Sequence, residues 1–528
     1  MKFTLSWLKE HLETTASLTE ITDALTMVGL ELEGVEDRAK GLETFVTAKV
    51  IEAKPHPNAD RLRVCTVDPG NGETVELVCG APNARTGMVG VFAPGGSYIP
   101  GTGITLKPTE IRGVTSNGML LSEREMGISE EHDGIVDLDP TTPVGKPAID
   151  VMGLNNPIID IAITPNRGDC LGVRGVARDL AAAGLGTLKP LANGPVPGAF
   201  KSSIDVKLDF DADHASACPY FVGRLIKGVS NGESPAWLKE KLIAIGLRPI
   251  STLVDITNLL TFDLNRPLHV FDADKVSGDL HVRLSKSGET LQALNDKEYT
   301  LDDEMTVIAD DNGAEALGGV MGGEVSGVTA ETVNVFVESA FFDPIRTAMT
   351  GRKLNLLSDA RYRFERGIDP AFLETGMEVA TRLILDLCGG EPSELVIAGG
   401  NPLQGRAITF RPARVRELTG IDISSDEIQR ILSVLGFVVS GSGDTWDVAV
   451  PSWRSDIEME ACLVEEVVRI NGFDKIPATP LPRDTVLPTP ALSEVQKRRV
   501  IARRTLAARG LTEAVTYSFM GEAEAALF

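Results

Sequence analysis

A chain of 528 residues with 43% hydrophobic positions can bury several separate cores, and at ~100–200 residues per domain it predicts three to five domains. Its 75 acidic against 51 basic residues, a formal net charge of −24, argue against a general duplex-nucleic-acid binder, which needs a broad basic surface to displace phosphate counterions. Any RNA contact must be local. Cys65, Cys79, Cys170, Cys218, Cys388 and Cys462 stand far apart with no C-x-x-C pair, and read as buried thiols in a reducing cytoplasm. The start MKFTLSWLKEHLE carries charges where a secretory signal would be apolar, and no stretch approaches the ~20 apolar residues of a membrane span. A soluble, cytoplasmic protein is predicted.

Ser17 and Glu20 form a capping box ahead of EITDALTMVG, whose Ile21, Leu25 and Val28 recur at helical spacing and stop at Gly29. This predicts a small helical unit over 1–39, resuming over 152–190. Short Val-, Ile- and Thr-rich runs from about Thr44 to Asp139 (VTAKVIEAK, LRVCTVD, ELVCG, MVGVFAPG) predict a closed β-barrel within 40–150. PNRGDCLGVRGVARDLAAAG reads as a helix capped by Asp169 and stopped by Gly184, and LKPLANGPVPGAF as a linker. Residues 200–399 mix strands and helices in the largest α+β domain. There Ser234 as N-cap and Pro235 open PAWLKEKLIAIG, and Asp369 with Pro370 opens a helix ending before Gly389. A smaller α+β unit over 400–476 holds DEIQRILSVLG, boxed by Ser424 and Glu427, the strand WDVAVP and the helix EACLVEEVVRING. The proline-studded IPATPLPRDTVLPTP then separates it from a final helix, SEVQKRRVIARRTLAARG, within 477–528. The fold class is α+β multidomain, without internal repeats.

In PHPNADRLRVCTVDPG, Asn58, Asp60 and Asp68 suit turns, Leu62, Val64 and Val67 can fill a barrel, and Arg61 and Arg63 alternate outward. Basic side chains on one strand can track a phosphate backbone, and Arg85, Lys107 and Arg112 would extend the track. Residues 41–128 carry eight basic and nine acidic groups, so this segment is near neutral inside an acidic chain. On these features alone a barrel with ordinary surface arginines is the better fit.

Longer strings carry more. HPNADRLRVCTVD, VCGAPNARTG and IRGVTSNGMLLSEREMG resemble the OB-fold tRNA-binding module shared by several tRNA-binding proteins. ITPNRGDCLGVRGVARDLAAAG, LVDITNLLTFDLNRPLHVFD, ALGGVMGGEVSGV, RYRFERGIDP and LVEEVVRINGFDKIP follow in the order found in bacterial phenylalanyl-tRNA synthetase β subunits. The resemblance implies an N-terminal unit with an inserted OB-fold barrel, a large editing domain, a small α+β domain, and the start of a catalytic-like class II synthetase domain. TEAVTYSFM resembles that last domain's opening strand, so the sequence reads as a truncated chain. It also implies tRNA(Phe) as a ligand, an α subunit as partner in an α₂β₂ assembly, and ATP as a substrate of the assembled enzyme. The resemblance further implies that activation of phenylalanine belongs to α. In this chain GGVMGG, Gly318 to Gly323, lacks the Lys-Ser/Thr of a phosphate loop and reads as a tight turn.

Because an apolar pocket shaped for phenylalanine rejects a hydroxylated isostere only about 10²-fold, the resemblance implies a second site that hydrolyses mischarged Tyr-tRNA(Phe). The positions matching it are Thr257, Asn258, His269, Gly318 and Glu338. Glu338 would accept a hydrogen bond from the tyrosyl hydroxyl, whereas phenylalanine would leave that acceptor unpaired. His269, Thr257 and Asn258 would position the ester, the terminal ribose and a water. Gly318 stands where the family commonly has alanine, which predicts a slightly roomier pocket. Taken alone, His269 fits a core histidine and Glu338 a surface strand carboxylate.

In SWRSDIEMEACLVEEVVR, Cys462, Glu465 and Glu466 fall at i, i+3 and i+4, with Asp456 upstream. The resemblance implies a Mg²⁺ site shared with the α subunit. Cys462 replaces an expected carboxylate and a thiol is a poor Mg²⁺ ligand; the alternative is a solvated acidic helix face. A noncatalytic tRNA-binding scaffold is the competing function.

Overall fold

The computed structural model describes residues 1–403, 405–481 and 490–528, and divides into two compact units, 1–476 and 477–528. The first begins with a three-stranded sheet in which Ile158–Ile161 lies between Lys2–Thr4 and Leu32–Glu36. Helix Leu18–Met27 carries the expected capping box, with Ser17 and Glu20 satisfying each other's backbone N–H groups. Helix Val173–Ala182 starts without a side-chain cap. Asp169 sits instead in the preceding 3₁₀ turn, Gly168–Cys170, its carboxylate engaged by Arg167. A buried guanidinium outcompetes the backbone N–H groups for that acceptor.

The barrel is inserted between the outer and middle strands of this sheet. Its order is Gly118–Leu120, Val89–Pro94, Val46–His56, Ala59–Asp68, Val75–Cys79. The first and last strands approach to close it, with Asn117 N–H donating to the Glu76 carbonyl at 3.0 Å and Val78 N–H to Ser116 Oγ at 3.1 Å. Ala48, Val50, Cys65, Val67, Leu77 and Cys79 fill the interior.

The central domain has two sheets. One orders Val206–Asp209, Leu280–Leu284, Thr306–Ala309, Ala314–Leu317, Met321–Gly322; the other orders His269–Asp272, Asn334–Phe341, Tyr220–Lys227, with Glu391–Pro392 and Val396–Gly399 at its edge. Val282, Ile308, Phe221, Phe336 and Ala340 form an apolar core shared by the two. Val335 and Val337, of opposite parity on strand Asn334–Phe341, pack with helices Thr252–Leu264 and Leu373–Cys388 through Ile256, Leu260, Met377 and Ala380. Helix Ala236–Ala244 begins one residue later than predicted, after Pro235, because Ser234 Oγ donates to buried Asp255. The segment 188–200 is pinned: Arg224 and Arg382 donate to the carbonyls of Val196, Ala192 and Gly194.

The smaller domain places a sheet of Ala407–Phe410, Trp446–Ala449 and Val438–Ser440 against helices Ala413–Thr419, Ser425–Val434 and Glu460–Asn471. Ser424 caps its helix, but Glu427 pairs with Arg430 rather than completing a box. The unit 477–528 contains helices Glu494–Ala508 and Glu522–Ala525. Part of the proline-studded linker, 482–489, lies outside the described residues. TEAVTYSFM forms no strand in this unit; a strand needs a ladder partner. No helix among the described residues is long and apolar enough to cross a membrane.

Candidate functional site

His269 and Glu338 stand directly opposite each other in the antiparallel pairing of His269–Asp272 with Asn334–Phe341, so their side chains share one face of the sheet. That face is the one turned toward the core between the two sheets, since Phe336 and Ala340 have the parity of Glu338. Glu338 is 6% exposed, and no hydrogen bond reaches its carboxylate among the described residues. Burial pushes its pKa up to about 7, opposed by the positive charge of Arg266. Burial brings His269 down to about 4, so the imidazole is neutral at pH 7. Its Nε2 is enclosed without a partner, and its ring meets the Phe271 ring edge-on at 4.4 Å.

The glycine that matters to His269 is Gly322. A methyl there would come within 2.3 Å of His269 Cε1 and 2.9 Å of Nε2, so the bare backbone is what lets the ring lie against the turn. Gly318 faces elsewhere: a methyl would meet Phe342 at 2.7 Å and Thr306 at 3.1 Å. The expected extra room at Gly318 is therefore not present, because Phe342 already fills it. Thr257 and Asn258 are half-buried on helix Thr252–Leu264, which packs on the opposite face of the sheet, and Thr257 Oγ1 donates to the Val254 carbonyl. The structure thus brings His269 and Glu338 together and holds Thr257 and Asn258 on a separate layer.

The four residues of the anticipated cation site do not converge. Glu466 is 1% exposed and its oxygens are taken by Arg469, at 2.7 and 3.2 Å, and by Arg454. Burial alone would raise its pKa; Arg469 and Arg454 hold it down at about 2. Asp456 is bound by Arg454 at 2.7 and 2.8 Å, Cys462 is half-buried, and Glu465 points to solvent. Adjacent helical positions diverge by ~100°, so Glu465 and Glu466 cannot serve one ion from one face. With two carboxylates spent on guanidinium and a thiol in third place, the set does not fit Mg²⁺, which demands near-octahedral oxygen ligands. Nor is it a solvated acidic face, since Glu466 is buried. The cluster that does converge is Asp169, Cys170 and Asp179, but Arg167 Nη2 already occupies its centre, 3.1, 2.9 and 2.8 Å from the three.

On the barrel, Arg61 and Arg63 have the parity of Cys65 and Val67, the inward-facing residues, and Arg63 lies opposite buried Cys79. They do not alternate outward from the barrel face; they continue its inner face past the point where the barrel stops burying it, and both are exposed. Leu62 and Val64 take the other side, half-buried. Arg61, Arg63 and Lys107 make no ion pair among the described residues, whereas Arg85 is paired with Asp137 at 2.8 Å. Arg112, at φ +50°, joins its hairpin to Asn58 through its carbonyl at 2.9 Å.

Three domain families match the chain: the tRNA-binding domain over residues 45–147, the B3/4 domain over 217–389, and the tRNA synthetase B5 domain over 408–473. The chain is 58% identical over 528 residues to a protein of Paramagnetospirillum magneticum named phenylalanine–tRNA ligase beta subunit, and 54% identical to one of the same name from Rhodopseudomonas palustris. Each alignment covers the whole of this chain, which spans 66% and 65% of those relatives' lengths. A solved N-terminal fragment of the phenylalanyl-tRNA synthetase beta-subunit from Pyrococcus horikoshii aligns with 89% of this chain and 99% of its own, at 14% identity and a TM-score of 0.39, too low to carry a fold argument.

Proposed function

Since this chain belongs to the family of phenylalanine–tRNA ligase beta subunits, we propose that it supplies the tRNA-binding and proofreading part of that ligase. It charges tRNA(Phe) with phenylalanine, at the expense of ATP, only together with an α subunit in an α₂β₂ assembly in the cytoplasm. The matches over 45–147, 217–389 and 408–473 support this reading. ATP is a substrate of the assembly rather than a ligand of this chain. A catalytic Mg²⁺ would have to be held elsewhere than by Asp456, Cys462, Glu465 and Glu466 as they stand.

The proofreading reaction is hydrolysis of the ester in Tyr-tRNA(Phe), and the observation that carries it is the mutually opposed pair of half-buried His269 and buried Glu338. Glu338 has a carboxylate without a hydrogen-bond partner, suited to a phenolic hydroxyl that phenylalanine lacks. Leaving such an acceptor unpaired costs ~1–3 kcal/mol, enough to favour the wrong amino acid for destruction. His269, neutral at pH 7 and with Nε2 idle, is suited to orient a water or the ester by a hydrogen bond; no protein nucleophile is required. Thr257 and Asn258, on the helix backing the same sheet, keep a role only at the pocket's edge, in holding the terminal ribose. Arg61, Arg63 and Lys107, with Arg85 and Arg112 beside them, provide the local basic surface for tRNA.

The test is deacylation by the purified chain. Tyr-tRNA(Phe) should be hydrolysed and Phe-tRNA(Phe) spared. Binding of tRNA without hydrolysis of either ester would favour the noncatalytic scaffold instead.

A further inference from the structure

One buried cation beside the pair has no evident duty. Arg266 lies on the bend between helix Thr252–Leu264 and strand His269–Asp272 and is 1% exposed. Its Nη2 donates to the Ala340 carbonyl at 2.8 Å, while Nε and Nη1 are enclosed with no partner. The guanidinium lies over the Phe364 ring, 5.7 Å from its centroid. Its stem runs along Gly376, where a methyl would come within 2.8 Å of Cγ. Phe364 and Asp369 both belong to RYRFERGIDP, a motif for which the hydrolytic chemistry offers no use.

A guanidinium removed from water with two idle donors is costly, and an uncharged side chain would fill the same space at less cost. The charge itself therefore needs an account. Ala340 follows Glu338 by two positions, on the same face of one strand at a spacing of ~6–7 Å, so a guanidinium anchored on Ala340 acts on Glu338 through space without pairing with it. At 1% exposure it cannot touch a substrate.

We propose that Arg266 is the positioning residue of the editing pair: held dry against Ala340, its charge keeps Glu338 a carboxylate, which accepts rather than donates the hydrogen bond with the tyrosyl hydroxyl. This rests on the proofreading reading above. The groups facing Glu338 are His269 across the ladder, the Cys218 thiol and Arg266; Asp369 faces Arg266 from the turn. Burial drives the Cys218 thiol up and His269 down, so at neutral pH both are uncharged and Arg266 is the one cation among them. Burial raises Asp369 as well, while Arg178 and Arg266 oppose it. Even against the charge of Arg266, burial carries Glu338 to about 7. Removing that charge should carry it further.

The experiment compares wild type, Arg266→Gln and Arg266→Lys in the whole chain. Two readouts are taken: the pH profile of Tyr-tRNA(Phe) deacylation, and the titration of the Glu338 carboxyl ¹³C signal, assigned by its loss in Glu338→Gln. In Arg266→Gln the acid limb and the ¹³C midpoint should both rise by about one pH unit, an about tenfold loss of rate near pH 6.5 that closes near pH 9. Arg266→Lys should keep both within about half a unit of wild type. An equal loss at every pH with an unmoved midpoint would overturn the proposal and leave Arg266 a packing residue. If Arg266→Gln does not fold, the folded Lys variant decides, a midpoint displaced by more than about half a unit overturning it. If wild type hydrolyses no ester, the proofreading reading falls, while the ¹³C midpoint still tests the coupling of Arg266 to Glu338.

Discussion

Arg469 donates from Nη1 to Asp179 Oδ2 at 2.8 Å, joining the C-terminal small domain to the N-terminal unit across 290 positions of sequence. Arg167 donates to the same oxygen at 2.8 Å, and Arg454, Glu466 and Asp456 continue the lattice. Removing one partner from such a buried network leaves a charge without compensation. Arg469→Leu or Asp179→Asn should therefore cost ~3–5 kcal/mol in chemical denaturation at neutral pH. A loss below ~1 kcal/mol would mean that water relieves the stranded charge.

Glu465 and Glu466 should behave as unlike residues despite being neighbours. Glu465→Ala, at an exposed position, should change stability by no more than ~0.5 kcal/mol, whereas Glu466→Ala should cost ~3–5 kcal/mol. Because Glu466 is held down at about 2, its contribution is present above the ordinary carboxylate range and is lost as pH falls through 4 toward 2. Neither chelator nor millimolar Mg²⁺ should move the melting temperature of the chain. A Mg²⁺-dependent rise would restore the cation site.

For Glu338 the sign is opposite. Its pKa rises from the ordinary range near 4.5 to about 7 in the fold, so stability from its neutral form is complete at low pH and declines as pH climbs between those values. Glu338→Gln removes this term. Relative to wild type, the variant should gain on the order of 3 kcal/mol between pH 4 and pH 8. Parallel stability curves for the two proteins would place Glu338 in contact with water.

Glu338→Ala tests selectivity separately. Hydrolysis of Tyr-tRNA(Phe) should fall while discrimination against Phe-tRNA(Phe) relaxes by ~10-fold, the worth of one hydrogen bond. The ratio of the two rates is the quantity to compare, with folding checked by melting. If the ratio holds while both rates drop, Glu338 serves stability alone.

Reversing the charges of Arg61 and Arg63 should weaken tRNA binding and flatten its dependence on salt, by ~0.7–0.9 in log–log slope for each phosphate that is no longer neutralised. Arg85→Glu should do less, because Asp137 already neutralises Arg85. Unchanged slopes would return these arginines to the ordinary surface.

Local signals were readable in the sequence. The Ser17 and Glu20 box, the barrel's strand rhythm and the helix after Asp369 all depend on residues a few positions apart, and all formed. What escaped reading was fixed by distant partners. Arg63 is turned to the inner face by its register with Cys79, and apolar Leu62 and Val64 made the opposite phase look equally good. Glu466 is turned inward by Arg454 and Arg469 in a network that includes Asp179. Arg266 carries no local signal in the sequence, and its burial comes from the packing of Phe364 and Gly376 around it.

The inserted barrel also sets a clock on synthesis. Thr4 pairs with Ile158 and Glu36 with the same residue, so these two outer strands have no middle strand until the whole barrel has been made. At ~5–20 residues per second this is a wait on the order of ten seconds or more. Strands 46–120 complete their own sheet within that interval. The barrel is thus free to fold first as a nascent module, while Phe3 and Trp7, fully buried in the finished protein, remain the exposed apolar segment for a chaperone to hold.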